Sequence, residues 1–497
     1  MSRPSFVRGL NYRYFFLAAI ILFVSILRLY GLSHNDLWYD EATTYLATKY
    51  NLREDSFLYY SFLKLWFVIF PKTAFFFRLP SAILSIFSLI YFSSFLKKYF
   101  SLRICFWATI LMGLSAFQIW YAQEARSYVM VLFLGLISTG LLYEILYVRR
   151  DNISTAIFAF VSVLGVYAHP TYIILFFCHL VILLMNGRRS SGLFFSPISI
   201  LIYLFLIPRI YFLSLIYRYH NAGFWLPMPQ WSAIFNTLDN FLIGYNGSQA
   251  VYLTGRIVIL IILSRLFFIL VKRKCVHPVF DLFFFLFIFA LGAAFMFSKY
   301  CIPIYLDRCL IFVSPFFYLG LAVGIDTMRP AFVRIFMGLV LIALQILGLT
   351  AYYKMEMPAS YQRHIGIVAK KSYKPAVDFL LKNINREDVV VFSNVATMPS
   401  FYYYGVRDYK TRILYDPKYL LETRRLSYAT LENSMPLKDL SRKSGSVYWL
   451  VACDWERSGD LTRHPNSLSV KRYLDNNYIL QMGRNFDGLF VYKYVAG

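Results

Sequence analysis

The sequence is poor in charge, and above all in negative charge. Only 15% of its 497 residues are charged, and 26 Asp and Glu stand against 50 Lys and Arg. Hydrophobic residues make up 59% of the chain, in repeated runs long enough to cross a hydrocarbon layer of roughly 30 Å. The basic residues punctuate these runs and form no polar face, which argues against nucleic acid as a partner. The composition predicts a multi-pass membrane protein.

Cysteine and histidine are also sparse. The six cysteines are scattered, with neither a zinc spacing nor a disulfide framework. Cys301 and Cys309 could form a disulfide only if their loop faced an oxidising compartment and supplied the required geometry. No His-x-x-x-His pair or carboxylate cluster has the spacing of metal ligands. We therefore predict no certain cofactor, although Asp40 and Glu124 could share a divalent metal ion through space.

About eleven apolar runs are long enough to be spanning helices. We place them near residues 14–32, 75–96, 103–120, 128–148, 153–168, 171–186, 194–213, 250–271, 279–298, 309–326 and 333–352. The first run lacks a small-x-small cleavage site, so we interpret it as a retained helix. A further run at 57–70 is short and ends at Pro71, which favours a position along the membrane interface.

Basic residues collect at alternate ends of these runs. By the positive-inside rule, the side that carries them is cytoplasmic. We expect residues 1–354 to form the transmembrane domain. The opposite side then carries residues 33–57, the segment around Glu124, the loop 214–249, the loop around Arg308 and the C-terminal tail.

The tail, residues 355–497, differs in character from the rest of the chain. It holds fourteen of the 26 acidic residues and has short alternations of α/β type. We predict a helix at 374–384 and strands at 388–392, 447–452 and 489–494. The tail is therefore expected to be a small extracytoplasmic α/β domain.

Five of the twelve acidic residues in the first 354 positions lie between residues 36 and 55. Asp40 and Glu41 follow the aromatic pair Trp38 and Tyr39 in NDLWYDEATT at 35–44. Carboxylates beside a bilayer usually have a function. One interpretation is a helix start, which favours acidic residues through the dipole and the free N–H groups. The other is a general base for an attacking hydroxyl, beside rings that stack on a sugar.

The segment WYAQEARSY at 120–128 is a second candidate. Glu124 and Arg126 would be costly in contact with lipid, so we expect them to face a cavity or the headgroup zone. The alternative is a local ion pair, or side chains that snorkel at a helix end. His169, at another external helix end, is a candidate for lining the same cavity.

The segment KYCIPIYLDR at 299–308 is the third candidate. The positive-inside rule argues against unengaged basic residues on this side, so Lys299 and Arg308 call for an explanation. A phosphate supplies one, because Arg offers a bidentate fork and Lys a point charge. The alternatives are an ion pair of Lys299 with Asp307, or contact with lipid headgroups.

Four segments occur in an order that resembles a known family. They are RLYGLSHNDLWYDEATTYLA at 28–47, FRLPSAILSI at 77–86, WYAQEARSYVMVLFL at 120–134 and YLDRCLIFVSPFF at 305–317. The chain resembles bacterial membrane glycosyltransferases of the C-type (GT-C) fold, a group that includes protein O-mannosyltransferases and the aminoarabinose transferase of lipid A. The resemblance implies a GT-C fold in the cytoplasmic (inner) membrane, an extracytoplasmic C-terminal domain and a polyprenyl-phosphate-linked sugar as donor.

The resemblance also implies roles for individual residues. Asp40 matches the acid of the first external loop, taken in the family as general base for the acceptor, and Glu41 matches its neighbour. Glu124 and Arg126 match the second external motif. Arg308 matches the basic residue that is expected to meet the lipid phosphate.

One segment departs from the family pattern. Many relatives carry a His-Pro-Pro run before a Tyr pair, whereas here Glu-Asp-Ser at 54–56 precedes Tyr59 and Tyr60. The donor head group and the acceptor, whether glycan, lipid or protein, therefore stay open. Tyr59 and Tyr60 are candidates for lining the cavity, and Lys64 is close enough along the chain to serve a phosphate.

Together these features predict an inverting glycosyltransferase of the cell envelope. Asp40 would take the proton of the acceptor hydroxyl, while Arg126, Arg308 and Lys299 would stabilise the departing lipid phosphate. We expect these groups to meet in one hollow at the outer leaflet. A transporter of lipid-linked sugars is an alternative, which would need charged or broken helices near mid-membrane and matching halves. A ligase that uses a diphosphate-linked glycan is another.

Overall fold

The structure is a computed structural model that describes residues 8–34, 36–50, 56–148, 151–186, 196–220, 226–272, 277–355, 367, 370–419, 434–454 and 458–497. The described residues form two compact units. The helical unit comprises those within 1–32, 54–217 and 226–367. The α/β unit comprises those within 33–53, 218–225 and 368–497.

The chain up to residue 353 is almost entirely helical. Its helices are α1 (Arg8–Leu29), α2 (Tyr39–Tyr50), α3 (Phe57–Ile69), α4 (Ala74–Tyr99), α5 (Leu102–Leu114), α6 (Ala116–Ala122), α7 (Tyr128–Tyr143), α8 (Asn152–Ala168), α9 (Tyr172–Met185), α10 (Pro197–Tyr203), α11 (Leu206–His220), α12 (Ser232–Ile243), α13 (Gln249–Val271), α14 (Pro278–Tyr300), α15 (Ser314–Asp326) and α16 (Ala331–Tyr353). A π-helical turn, Glu144–Val148, extends α7, and a 3₁₀ turn, Asp307–Val313, leads into α15. Helix α2 belongs to the α/β unit.

Seven of the described helices are long and apolar enough to cross a membrane, and α5 with α6 makes an eighth span if the bent pair counts as one. Four shorter apolar helices accompany them, at Phe15–Leu29, Phe57–Ile69, Asn152–Ala168 and Tyr172–Met185. Each of the eleven predicted runs coincides with one helix or with two consecutive helical segments. The prediction of an α-helical multi-pass membrane protein is confirmed.

Helices α5 and α6 meet at an angle of 57°, where the sequence predicts a single run over 103–120. The break lies at Ser115, whose backbone is not helical and whose hydroxyl accepts a hydrogen bond from the Gln118 N–H at 3.4 Å. A serine N-cap of this kind starts a new helix. The turn that follows α6 carries Glu124 and Arg126.

The α/β unit is built on one mixed sheet. Its strands are β1 (Val389–Phe392), β2 (Lys410–Tyr415), β3 (Ser434–Pro436), β4 (Val447–Ala452), β5 (Ile479–Phe486) and β6 (Leu489–Val495), in the order β3-β2-β1-β4-β6-β5. The pairs among β1 to β4 are parallel, and β6 pairs antiparallel with β4 and β5. The valine-rich β1 and β4 are buried beyond their first residue, as central parallel strands are.

Three helices accompany this sheet: α17 (Lys374–Asn383), α18 (Met398–Tyr403) and α19 (Pro465–Asn477). Val377 and Leu380 are among the α17 side chains that pack with β1 and β4, in a hydrophobic core that contains Trp449. The predicted helix and the three predicted strands of the tail are all present. The predicted small α/β domain at the C-terminal end of the chain is therefore confirmed.

Candidate active site

The turn between α6 and α7 holds two of the predicted site residues. Glu124 is buried, and its carboxylate accepts a hydrogen bond from the Trp120 indole N–H at 2.8 Å. Arg126 is half-buried, and its Nη1 donates to the Tyr60 hydroxyl at 3.2 Å. The Gln123 amide fixes the turn by donating to three backbone carbonyls at the end of α1, those of Leu27, Arg28 and Tyr30.

Helix α3 supplies the tyrosine pair. The rings of Tyr59 and Tyr60 are 6.3 Å apart, and the hydroxyls of Tyr59 and Ser81 are hydrogen-bonded at 2.9 Å. The hydroxyls of Ser56 and Ser127 lie 2.8 Å apart, which ties the start of α3 to the turn that carries Arg126. The structure therefore brings Tyr60 and Arg126 together.

Three further residues of this region were singled out from the sequence, and only one of them lies within the described residues. Lys64, one turn beyond Tyr60 on α3, is exposed. Glu54 and Asp55, where the sequence departs from the family pattern, lie outside the described residues.

Arg308 lies in the 3₁₀ turn that leads into α15. The Asp307 carboxylate accepts from the backbone N–H of Arg308 at 2.7 Å and from the Asn240 amide at 2.6 Å. Lys299 instead donates its ammonium to the Pro229 carbonyl at 3.1 Å. Within the described part of the chain Lys299 and Asp307 form no ion pair, so the alternative explanation of this loop was wrong in that detail.

Helix α12 positions this turn from one side. Its Asp239 is fully buried and accepts two branches of the Arg256 guanidinium of α13, with a shortest contact of 2.7 Å. The next residue, Asn240, is the one that holds Asp307. Just beyond α12, Tyr245 is hydrogen-bonded to Tyr121 at 2.6 Å, and burial followed by the Asp307 charge raises the pKa of Tyr245.

His169 experiences the charges of three arginines that come from distant segments. Burial, followed by the charges of Arg126, Arg209 and Arg308 in that order, lowers its pKa to about 3. The imidazole is therefore neutral at neutral pH. Its Nδ1 is 2.8 Å from the Thr171 hydroxyl, which donates to the carbonyl of Cys309 at 3.0 Å. We call Arg126, Arg209 and Arg308 with His169 the arginine cluster.

Sequence reasoning missed Arg209. It lies in α11, is 3% exposed, and donates from Nε to the Val166 carbonyl at 3.4 Å. Its guanidinium stands over the rings of Tyr167 and Phe212, 5.8 and 5.7 Å from the ring centres. A charge inside an apolar run was the available signal, because such residues are rare in spanning segments and usually functional.

The predicted catalytic carboxylates belong to the α/β unit. Helix α2 begins at Tyr39, so Asp40 and Glu41 both lie in its first turn, where the helix dipole favours carboxylates. Glu41 is fully buried, and Asp40 is half-buried. Across the described residues no side chain bonds the Asp40 carboxylate, while its backbone carbonyl accepts from the Thr44 hydroxyl at 3.1 Å.

The two aromatic residues before these acids also differ in burial. Tyr39 is half-buried, whereas Trp38 is 3% exposed. The indole N–H of Trp38 is buried and has no hydrogen-bond partner among the residues that the structure describes. The Lys370 ammonium lies 5.8 Å from the centre of its ring.

The last predictions for the site concern a metal ion and a disulfide. In the described ranges, no group of three or more His, Cys, Asp or Glu side chains could hold a metal ion. Cys301 and Cys309 are separate thiols. A divalent metal ion stays a prediction for Asp40 and Glu124.

Comparison with known proteins identifies the fold. No protein-family model and no curated protein sequence matches the chain. Among solved structures, ArnT from Cupriavidus metallidurans in the apo state has a TM-score of 0.62 at 10% identity, over 97% of this chain and 98% of that one. The same protein bound to undecaprenyl phosphate gives 0.59 at 11% identity, over 97% and 98%. The predicted GT-C fold is confirmed.

Proposed function

We propose that this protein is a glycosyltransferase that uses a polyprenyl-phosphate-linked sugar. The observation that carries the proposal is the arginine cluster, in which the charges of three guanidinium groups act on one neutral imidazole in a unit made mainly of apolar helices. Guanidinium groups bind phosphate through paired hydrogen bonds, and they do so more strongly where water is scarce. The ArnT structure that contains undecaprenyl phosphate has the same fold, which supports a polyprenyl phosphate as the ligand.

The chemical step is a transfer of the sugar between two oxygens. Asp40 takes the proton of an acceptor hydroxyl, and that oxygen forms a bond with the anomeric carbon as the sugar–phosphate bond breaks. The polyprenyl phosphate departs with the electron pair, and Arg126, Arg209 and Arg308 stabilise its negative charge. Direct displacement of this kind inverts the anomeric carbon. In this proposal Lys64 and Lys299 add positive charge near the phosphate.

The aromatic residues are assigned to the sugar and the acceptor. Tyr60 already contacts Arg126, and Tyr59 packs beside it. Trp38 carries a buried N–H that an oxygen of the substrate would satisfy, since buried donors are seldom left without an acceptor. Tyr39, Glu124 and His169 would complete the lining, as the resemblance implies for the external loops.

The proposal places the reaction at the outer face of the cytoplasmic membrane. The distribution of basic residues along the sequence supports this side for residues 33–57 and for the C-terminal tail. The acceptor is a glycan, a lipid or a protein of the cell envelope.

The test of transfer compares cell-envelope glycans by mass spectrometry. A deletion strain is complemented with the wild-type chain, with Asp40→Asn or with Asp378→Asn, an exposed aspartate of the same unit that pairs with Lys374. We expect the wild type and Asp378→Asn to restore one sugar that Asp40→Asn fails to restore at equal abundance. A general base contributes a factor of about 10² to 10⁴, so normal transfer by Asp40→Asn would refute its role. Addition of a whole preassembled chain would indicate a ligase instead.

The test of the donor site uses undecaprenyl phosphate as the probe. Purified wild-type protein in detergent should bind it more tightly than undecaprenol, which lacks the phosphate. Arg209→Gln should weaken binding of the phosphate by about tenfold or more and leave binding of undecaprenol unchanged, since a charge-assisted hydrogen bond contributes about 1.5–3 kcal/mol. Equal affinity of the wild type for the two lipids would contradict a phosphate site.

A further inference from the structure

The segment that carries Asp40 and the C-terminal chain form one compact unit. Residues 33–53 group with 368–497 and not with the helices that flank them in sequence. Helix α18 packs on α2, where the rings of Tyr45 and Tyr403 meet edge to face with centres 5.0 Å apart. Nothing in the local sequence of either segment predicts this pairing.

Asp36 makes a polar link between the two segments. Its carboxylate accepts a hydrogen bond from the hydroxyl of Ser372, which lies 336 residues further along the chain. It is also hydrogen-bonded to the hydroxyl of Tyr404, which in addition bonds the backbone of Leu37. Hydrogen bonds to a carboxylate are about twice as strong as those between neutral groups, so two of them fix Asp36 firmly.

Asp36 lies just before α2, so its contacts influence where the helix that carries Asp40 begins. The Trp38 carbonyl accepts the first helical hydrogen bond of α2, from the Ala42 N–H at 2.9 Å, so α2 begins directly after the linked residues. Trp38 itself is buried beneath Lys370 of the C-terminal chain. The chain that enters α2 is thus held at Asp36, Leu37 and Trp38, and the direction of the first helical turn follows from it.

We propose that Asp36 is a positioning residue, through which Ser372 and Tyr404 of the C-terminal chain fix the first turn of α2 and with it the carboxylate of Asp40. The catalytic consequence rests on the proposed function. The C-terminal chain is then required for the alignment of the general base and not only for the stability of the fold. A displacement of about 1 Å in a reacting group costs up to about 10²-fold in rate.

The first test removes a single hydroxyl from the full-length protein. Tyr404→Phe keeps the ring and loses the bonds to Asp36 and Leu37. Tyr409→Phe is the matched control, because Tyr409 is half-buried in the same unit and its hydroxyl bonds no residue that the structure describes. We expect Tyr404→Phe to lower kcat about tenfold with the donor KM changed less than about twofold, while Tyr409→Phe leaves both unchanged.

A double-mutant cycle tests the link itself. Asp36→Asn should lower kcat to a similar degree as Tyr404→Phe, and the double variant should be no worse than the more impaired single variant, because both remove the same contact. Multiplicative losses in the double variant would show that the two residues act independently and would overturn the proposal.

Hydrogen exchange gives a readout that does not depend on catalysis. Amides of α2, residues Tyr39–Tyr50, should exchange faster in Tyr404→Phe than in Tyr409→Phe, with the strands of the α/β unit unchanged. Failure of the wild type to transfer any sugar would refute the proposed function, and faster exchange in α2 would still support the positioning role of Asp36. If the wild type is active, unaltered kcat and unaltered α2 exchange in Tyr404→Phe would overturn the positioning role. A loss of activity that is fully accounted for by a smaller amount of folded protein would overturn it as well.

Discussion

The ion pair of Asp239 with Arg256 allows a quantitative prediction. Arg256 Nε lies 3.2 and 2.9 Å from the two carboxylate oxygens of Asp239, and its Nη2 lies 2.7 Å from one of them. Nη2 also donates to the Asn236 side chain at 3.1 Å. The Asp239 side chain is completely buried, whereas that of Arg256 is 37% exposed. Arg256→Gln would therefore take this guanidinium away from a carboxylate that stays buried.

The expected cost follows from this burial. Breaking a fully buried pair costs about 3–5 kcal/mol, because the remaining charge stays desolvated. Solvent reaches the guanidinium and screens the pair, which reduces the figure to about 2–3 kcal/mol. Cooperative unfolding of the 497 residues carries an entropy of about 1 kcal/mol per kelvin, so the loss corresponds to a fall in Tm of about 2–3 °C.

Thermal unfolding in detergent, followed by tryptophan fluorescence, measures this change. The control is Arg265→Gln on the same helix, where Nη2 donates to the Thr327 carbonyl at 3.2 Å and no described carboxylate is paired with it. That variant should lose about 1 kcal/mol. Asp239→Asn combined with Arg256→Gln removes both charges and should recover most of the loss. A double variant less stable than Arg256→Gln would refute the reasoning.

Two further predictions concern stability around the site. The pKa of His169 lies below its ordinary value of 6.5, so its contribution to stability is complete above pH 6.5 and is lost as the pH falls towards 3. At pH 4.5 this loss is about 3 kcal/mol, which His169→Gln should lack when unfolding is compared at pH 7.5 and 4.5. Gly244 has φ +90° and an added Cβ would lie 2.8 Å from the Cβ of Ala116. Gly244→Ala should therefore lower the Tm, whereas Gly292→Ala, with open space around it, should not.

The helices and strands were predictable because their signals are local. Apolar runs of sufficient length identify spanning helices wherever they occur, and the strand β4 at Val447–Ala452 was predicted with the bounds that it has. The bend at Ser115 was not predictable in the same way. Serine is common inside membrane helices, and whether it caps a new helix or continues the old one depends on the backbone at that residue.

The candidate site was predictable only in part. Arg126 attracted attention because a charge is costly in contact with lipid, and Arg308 because basic residues are unexpected on the side predicted to be external. Arg209 did not, since its apolar neighbours made the whole run look like an ordinary span. The contacts of Asp36 with Ser372 and Tyr404 join segments more than 330 residues apart and have no signature in either sequence segment.

Arg28 shows that the role of a charged residue within an apolar run can be assigned only once its contacts are known. It is completely buried, and its guanidinium donates to the Ser85 hydroxyl and to the carbonyls of Val24, Gly113 and Met112. The last carbonyls of α5 lack helical partners because the helix breaks at Ser115, and Arg28 satisfies two of them. Its charge therefore completes a helix end. The charge of Arg209 acts instead on His169, together with Arg126 and Arg308, and this shared effect on one imidazole is the reason why we propose a phosphate site there.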